Sequence, residues 1–202
     1  EAPQSEIRAG YVTDLTYSPT GDYFKSYLMN YTLGGAFNSR INLNLREDKG
    51  WTYGARSYFS ASDEPGSFSI YSGVLAAATD SAIYEIIQEI EGYREKGITD
   101  DELQFMKNSI GQREVLDYET PWQKSSFLRR IIHYDLGNSF IDDQSKLITD
   151  ITKEELSTLA KKYLDLNQFY VVIVGDGVRN LAPLKKLGYE LIELDAQGKQ
   201  KQ

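Results

Sequence analysis

The first 50 residues carry a strand pattern followed by two helical patterns. β-Branched and aromatic residues over 7–13 predict a first strand. Apolar residues at helical spacing over 23–31 predict a helix, which Gly34-Gly35 ends. The chain therefore begins with a strand that is followed directly by helix.

A second helix is predicted over 37–47, because Phe37, Ile41 and Leu45 recur every four residues. This spacing places the three side chains on one face of a helix, which we expect to be buried. Arg46 falls about 100° beyond the edge of that apolar stripe. Gly50 then ends the helix.

The remainder of the chain is predicted to be a hairpin, a series of helices and two late strands. Capping boxes, in which a threonine pairs with a glutamate three residues later, mark two of the helix starts. In chain order we predict strands over 53–60 and 67–74 joined by a turn at 62–66, a helix from Thr79, a helix opened by Thr99 and Glu102, helices over 121–136 and 140–148, a helix opened by Thr152 and Glu155, a strand over 169–175, a turn at 175–177, a short helix over 183–187 and a last strand over 189–194.

This order of elements predicts an α+β fold, with a mixed, largely antiparallel sheet and helices packed over one face. No linker and no internal repeat interrupts the pattern. We expect a single domain over 1–196, followed by a polar tail at 197–202.

Composition excludes several classes of function. The 202 residues carry a net charge of −8, which argues against nucleic-acid binding, since phosphate recognition needs clustered Lys and Arg. No stretch approaches the roughly 20 apolar residues of a membrane span. With no cysteine there is no disulfide, thiolate metal site or cysteine nucleophile. The start at Glu1, without methionine, fits a segment of a longer polypeptide or a processed product.

The sequence lacks the residues of a self-sufficient hydrolase. Its single histidine, His133, cannot form a zinc site with two imidazoles, and we interpret it as a structural or surface residue. There is no Gly-x-Ser-x-Gly motif, and the glycine pairs do not have phosphate-loop spacing. Acidic runs at 100–102 and 142–143 are better explained as first-turn acids of helices. We expect the isolated chain to be catalytically inert.

Two candidate functional residues remain, Arg46 and Tyr53. The guanidinium of Arg46 can donate to a carbonyl or carboxylate, and the phenol of Tyr53 can stabilise a developing oxyanion. Spacing alone favours a simpler interpretation, in which residues 46–49 are a solvated charge cluster and Tyr53 is an ordinary strand aromatic.

The residues from Leu33 to Gly54 resemble a known family signature. They read Leu-Gly-Gly-x-Phe-x-Ser-Arg-Ile-x-x-x-Leu-Arg-Glu-x-x-Gly-x-Thr-Tyr-Gly. This pattern is similar to that of the C-terminal-type domain of the pitrilysin/insulinase zinc peptidases, which include insulin-degrading enzyme and mitochondrial processing peptidase. The resemblance extends weakly over most of the chain. Trp51 departs from it, since the family usually has a smaller aliphatic residue there.

The resemblance implies a division of labour between two homologous domains. One domain carries an inverted zinc motif with its general-base glutamate, and the opposing domain supplies an arginine–tyrosine pair that holds the substrate. On this sequence the pair corresponds to Arg46 and Tyr53. The implied partner is the zinc-binding half, in the same polypeptide or in a second subunit, and the implied substrate is a peptide. The chain itself is expected to bind no cofactor, because the zinc belongs to the partner, and an open sheet edge is expected to pair with the peptide.

The alternative is a catalytically inactive structural or assembly module, like the core subunits of the mitochondrial cytochrome bc complex. The presence of both Arg46 and Tyr53 favours the peptidase interpretation, because a purely structural copy has no need of the pair. The compartment is left open, with the periplasm favoured by analogy with bacterial members of such a family.

Overall fold

A four-stranded sheet organises the molecule. The structure, a computed structural model, describes residues 2–113, 120–137 and 139–201, and the side chains of residues 112 and 113 lie outside the description. The sheet has the order β2-β3-β1-β4, and all of its described pairs are antiparallel. The strands are β1 (Gln4–Val12), β2 (Thr52–Ser60), β3 (Ser67–Leu75) and β4 (Tyr170–Val174).

One face of the sheet is buried and the other is open. Ile7 in β1 and Phe68, Ile70 and Val74 in β3 are inaccessible to solvent, whereas alternate residues such as Tyr71 are exposed. This alternation is expected when helices cover only one face of an antiparallel sheet. The predicted α+β fold with helices over one face is confirmed.

Helices follow the predicted order, with two short π-helical turns among them. The helices are α1 (Asp22–Asn30), α2 (Arg40–Asn42), α3 (Thr79–Lys96), α4 (Asp100–Arg113), α5 (Pro121–His133), α6 (Phe140–Asp150), α7 (Lys153–Tyr163) and α8 (Gly177–Lys185). A π-helical turn extends α1 over Tyr31–Gly35, and another extends α2 over Leu43–Asp48. No helix in the described part of the chain is long and apolar enough to cross a membrane.

The predicted capping boxes are present. The Thr99 amide donates to Glu102 Oε2 at 2.8 Å, and the Glu102 amide donates back to Thr99 Oγ1 at 3.2 Å. Thr152 and Glu155 make the same pair of bonds. These local bonds satisfy amides that a helix start leaves unpaired, which is why the sequence alone located both starts.

The predicted last strand over 189–194 is wrong. Only an isolated bridge between Leu194 and Gln200 forms there, and Tyr189, Ile192 and Leu194 are about half exposed. Alternating hydrophobicity suits a strand, but a strand also needs a neighbour with free backbone groups. Among the described residues, the backbone partner at the end of this stretch is the polar tail, whose Lys199 carbonyl accepts from the Asp195 amide at 2.8 Å.

The late helix starts earlier than predicted. Asp176, which we expected in a turn, caps α8 by accepting a hydrogen bond from the Arg179 amide at 3.2 Å. We expected Pro183 to open the helix, because proline favours the first helical position. It instead lies inside α8, because the aspartate cap upstream satisfies the first turn.

The predicted helix over 37–47 begins only at Arg40. Residues 36–39 form a turn, and Ser39 has extended backbone angles of −87° and 157°. Ile41 and Leu45 are buried as expected, but Phe37 lies outside the helix and is 50% exposed. The four-residue repeat therefore predicted the burial of Ile41 and Leu45 correctly and that of Phe37 wrongly.

Arg40 ties this region to the helical layer. Its guanidinium donates to both carboxylate oxygens of Glu102, at 2.5 and 2.6 Å, and to the Gly97 carbonyl at 2.9 Å. It also stacks over the ring of Tyr93 at 4.6 Å. Tyr93 is fully buried and donates its hydroxyl to the Met29 carbonyl at 2.8 Å. Arg40 thus connects α2 with α4 and with the loop that precedes it, and Tyr93 beneath its guanidinium contacts α1.

We predict that Arg40→Ala lowers the free energy of unfolding by about 3 kcal/mol, because it leaves the Glu102 carboxylate and the Gly97 carbonyl without their main donor. Urea unfolding measures the change. The matched control is Lys153→Ala, which removes an ion pair to an exposed Asp100 carboxylate and should change stability far less, because water screens exposed charges. Equal effects of the two substitutions would contradict this role of Arg40.

The same pair predicts a dependence of stability on acidity. Burial raises the pKa of Glu102, but hydrogen bonds from Arg40 and Thr99 outweigh it and hold the pKa below its ordinary value. The unfolded chain therefore binds the proton at Glu102 more readily than the folded chain. The contribution of Glu102 to stability is complete above about pH 4.3 and is lost as the pH falls through the lowered pKa. In unfolding series between pH 6 and 3, Glu102→Gln should show a shallower loss than the native chain. Parallel curves would refute this contribution.

Candidate functional site

The π-helical turn that carries Arg46, Leu43–Asp48, is bonded to helix α3. Leu45 is buried, and the Asn44 side-chain amide donates to Glu85 and Glu89 on α3 at 2.9 and 2.8 Å. Lys49 forms an ion pair with Glu85 at 3.4 Å. The backbone on both sides of Arg46 is therefore held in place.

The Arg46 guanidinium has only partial protein contacts. It stacks over the Phe37 ring at 4.4 Å from the centroid, and its Nε lies 3.5 Å from a carboxylate oxygen of Glu47. The side chain is about one-third exposed. The structure shows no hydrogen bond from Arg46 Nη1 or Nη2 to any described residue, so these donors can reach a ligand.

A tight reversal brings Arg46 next to the start of β2. The Gly50 amide donates to the Arg46 carbonyl at 3.2 Å, and the Trp51 amide donates to the Leu45 carbonyl at 2.9 Å. Gly50 has a φ of +65°, a conformation that glycine adopts without steric cost. Arg46 and Tyr53, seven positions apart in sequence, therefore lie at the same end of β2.

A β-bulge turns Tyr53 outward. Thr52 pairs with Val74 and Ala55 pairs with Ser72, so β2 advances by three residues while β3 advances by two. One residue of β2 is therefore extra. Strict alternation with Ala55 would point Tyr53 into the core, but the extra residue breaks the alternation, and Tyr53 is 89% exposed. Its hydroxyl has no hydrogen-bond partner among the described residues.

Two hydroxyl groups hold the bulge together. Thr52 Oγ1 lies 2.7 Å from the Gly73 carbonyl oxygen and accepts from the Gly54 amide at 3.0 Å. The buried Ser72 hydroxyl lies 3.0 Å from Thr52 Oγ1 and 3.1 Å from the Gly54 carbonyl oxygen. These side chains replace the ladder bonds that the bulge removes.

Two asparagines close the outer edge of β2. Asn42 Oδ1 accepts from the Ala55 amide at 2.9 Å, and Asn30 Nδ2 donates to the Ser57 carbonyl at 2.8 Å. Gly34 packs so closely that a Cβ there would lie 2.1 Å from Ser57 Oγ. The open edge that we expected for substrate pairing is therefore not available at this part of β2. The described part of the chain places no strand beside the outer edge of β4.

The site offers hydrogen-bond donors and no metal ligands. No group of three or more His, Cys, Asp or Glu able to hold a metal occurs among the described residues. His133 Nε2 lies 2.9 Å from Asp63, and about half of its side chain is exposed. The part of the chain that the structure describes offers no zinc site, and the chemistry available at this end of β2 is donation to a carbonyl or carboxylate from Arg46 and Tyr53.

A family model matches the part of the chain that holds this site. The model for the peptidase M16 inactive domain matches residues 3–110, a little over half of the chain. The chain belongs to this family. The matched region holds β1 to β3, both π-helical turns and the candidate pair. The identification as a non-catalytic domain of the M16 zinc protease family confirms the resemblance seen in the sequence.

Curated relatives of this M16 domain are described as zinc proteases. An uncharacterized zinc protease of Streptomyces coelicolor is 26% identical over 140 residues, which are 68% of this chain and 30% of that protein. The uncharacterized zinc protease YmxG of Bacillus subtilis is 31% identical over 99 residues, which are 49% of this chain and 24% of that protein. The chain therefore spans about a quarter to a third of the length of these two relatives.

Solved structures share the fold. An M16 inactive domain from Pseudomonas fluorescens superposes with a TM-score of 0.75 at 24% identity, over 85% of this chain and 40% of that one. A protease from Helicobacter pylori gives 0.74 at 17% identity, over 85% and 41%. The periplasmic protease PqqL from Escherichia coli gives 0.67 at 17% identity, over 85% and 19%.

Several residues that shape the site were not identified from the sequence as doing so. Phe37 was placed in the core, whereas Asn30, Asn42 and Ser72 were not distinguished from ordinary polar positions. One signal was available: Thr52 directly precedes Tyr53-Gly54, and a glycine inside a strand pattern often marks a bulge.

We predict that Thr52→Val lowers the free energy of unfolding by about 1–3 kcal/mol, because it strips a partner from the Gly54 amide and the Gly73 carbonyl while keeping the side-chain volume. Thr52→Ser keeps the hydroxyl and should cost less than about 1 kcal/mol. Thermal or urea unfolding of both variants measures the difference. A valine variant as stable as the native chain would show that the hydroxyl does not maintain the bulge.

Proposed function

We propose that this M16 domain is the substrate-binding, non-zinc-binding half of a zinc metalloendopeptidase. In this proposal Arg46 and Tyr53 hold the peptide and stabilise the oxyanion that develops on its scissile carbonyl. A partner domain, in the same polypeptide or in a second subunit, supplies the zinc and the general base. Support comes from the family assignment, from relatives named as zinc proteases, and from a chain whose own described residues do not fit a metal.

The observation that carries the proposal is the bulge that exposes the Tyr53 phenol beside the turn of Arg46. Both residues present hydrogen-bond donors from backbone that is held by other contacts. As a carbonyl becomes tetrahedral its oxygen gains negative charge, and donors already in position stabilise that charge without rearranging. Two such donors at one end of a strand suit the oxygen of a peptide carbonyl.

In this proposal, side chains and not backbone pairing hold the peptide on this domain. The outer edge of β2 is occupied by Asn30 and Asn42. The outer edge of β4 lies three strand spacings away, about 14 Å from β2, since neighbouring strands are about 4.8 Å apart. A peptide held by Arg46 and Tyr53 would therefore take any strand pairing from the partner half.

We predict that Tyr53→Phe lowers kcat for peptide hydrolysis by about 100-fold, the effect of losing one oxyanion donor. Arg46→Ala should lower kcat/KM by at least a similar factor. The measurement uses the full-length protein, or this chain combined with its zinc-binding subunit. Thermal unfolding should be nearly unchanged, because Tyr53 is exposed and Arg46, about one-third exposed, makes no hydrogen bond through Nη1 or Nη2 to a described residue.

The matched control is Tyr58→Phe on the same strand, which loses a phenol that is 47% exposed and lies outside the bulge. It should retain activity within twofold. If Tyr53→Phe and Arg46→Ala also stay within twofold, neither residue contributes to the reaction and the proposal is wrong.

The alternative, an assembly module without activity, has its own test. The parent gene upstream of Glu1 and the neighbouring genes can be read for a His-x-x-Glu-His motif. Its absence from all of them would favour the assembly module, whereas its presence would identify the zinc-binding half for the reconstitution.

A further inference from the structure

Phe37 leaves half of its surface exposed, although Ala36 and Ser39 on either side of it are buried. Its ring lies beneath the guanidinium of Arg46, 4.4 Å from the centroid. We infer that Phe37 is a positioning residue that presets the Arg46 guanidinium for the peptide. This inference rests on the proposed function, because it assigns Phe37 a role through Arg46 and no contact with the reacting atoms.

The backbone of Phe37 is anchored independently of its ring. Its carbonyl accepts a hydrogen bond from Asn42 Nδ2 at 2.7 Å. The same Asn42 side chain accepts from the Ala55 amide of β2, just beyond the bulge. Asn42 therefore fixes the position of Phe37 relative to β2, the strand that carries Tyr53. The contact between the Phe37 ring and the guanidinium fixes Arg46 relative to the same strand.

The contacts of Arg46 with described residues leave one end of its guanidinium without a hydrogen bond. A cation–π contact uses the flat face of the group, and its in-plane N–H donors are unaffected. The Nε side lies near Glu47, at 3.5 Å. The end formed by Nη1 and Nη2 remains, and it can donate two parallel bonds to a planar acceptor such as a carboxylate, or bonds to a carbonyl oxygen.

Presetting matters because a free arginine side chain samples many rotamers. Ordering it at the moment of binding costs conformational entropy, which a ring already in contact reduces. The ring does not act as an oxyanion donor, so its loss should weaken the reaction less than the loss of Arg46. Because Arg46 is only about one-third exposed, its cation–π contact lies between the exposed and the desolvated case, and we expect an effect of about three- to tenfold.

The test uses the full-length protein or the reconstituted pair of halves, with peptide hydrolysis as the readout. Phe37→Leu should lower kcat/KM about three- to tenfold, and Phe37→Trp, which restores an aromatic face, should stay within twofold of the native protein. The double variant Phe37→Leu with Arg46→Ala should be no slower than Arg46→Ala alone, because both substitutions remove one coupled unit.

A matched control separates positioning from general destabilisation. Tyr189→Leu removes an aromatic ring of similar exposure, 57%, from the segment after α8 and should change kcat/KM by less than twofold. Thermal unfolding of all variants is measured alongside, and Phe37→Leu should unfold within about 2 °C of Phe37→Trp.

The outcomes separate this inference from the proposed function. If Arg46→Ala abolishes hydrolysis but Phe37→Leu matches the native protein, Phe37 has no positioning role and the proposed function stands. If the losses from Phe37→Leu and Arg46→Ala multiply in the double variant, Phe37 acts independently of Arg46 and the inference is overturned. If Arg46→Ala has no effect, the proposed function fails, and the inference fails with it.

Discussion

The Arg40 side chain fixes how the signature segment meets the rest of the domain. It spans from α2 to Glu102 and the Gly97 carbonyl, and it stacks on buried Tyr93. A two-pronged contact to a carboxylate holds direction as well as distance, because the guanidinium fork is planar. With this anchor in place, the following π-helical turn holds Arg46 at the surface. Of two arginines six residues apart, Arg40 therefore binds the segment to the domain and Arg46 remains available to a ligand.

A second constraint lies in the backbone of β2. The extra residue between Thr52 and Ala55 would leave ladder groups unpaired if hydroxyl groups did not replace them. Because those groups are satisfied, the bulge does not disturb the core, and Tyr53 is turned from the buried face to solvent. The strand edge beyond the bulge is closed by Asn30 and Asn42. At this end of β2 the hydrogen-bond donors available to a ligand are therefore side chains, because the backbone groups of Ala55 and Ser57 are already bonded.

Local chemistry explains which predictions succeeded. Capping boxes, helical spacing and hairpin patterns depend on residues close in sequence, and they located nearly every helix and strand. The errors arose where a distant partner decides the outcome. The alternating stretch after α8 found no strand to pair with, and the upstream cap of Asp176 took precedence over Pro183 as the start of that helix. Phe37 continued a helical repeat in sequence but belongs to a turn outside the helix.

The sequence by itself determined the α+β class, the order of elements, the lack of residues for a zinc site with two imidazoles, and Arg46 with Tyr53 as the candidate pair. It did not show that Arg40 anchors the segment to the helical layer, nor whether Tyr53 is exposed or is a buried strand aromatic. Only the tertiary structure decided these points, because burial depends on contacts such as Glu102 with Arg40. The bulge is likewise a property of two strands in register, and register exists only once the sheet has formed.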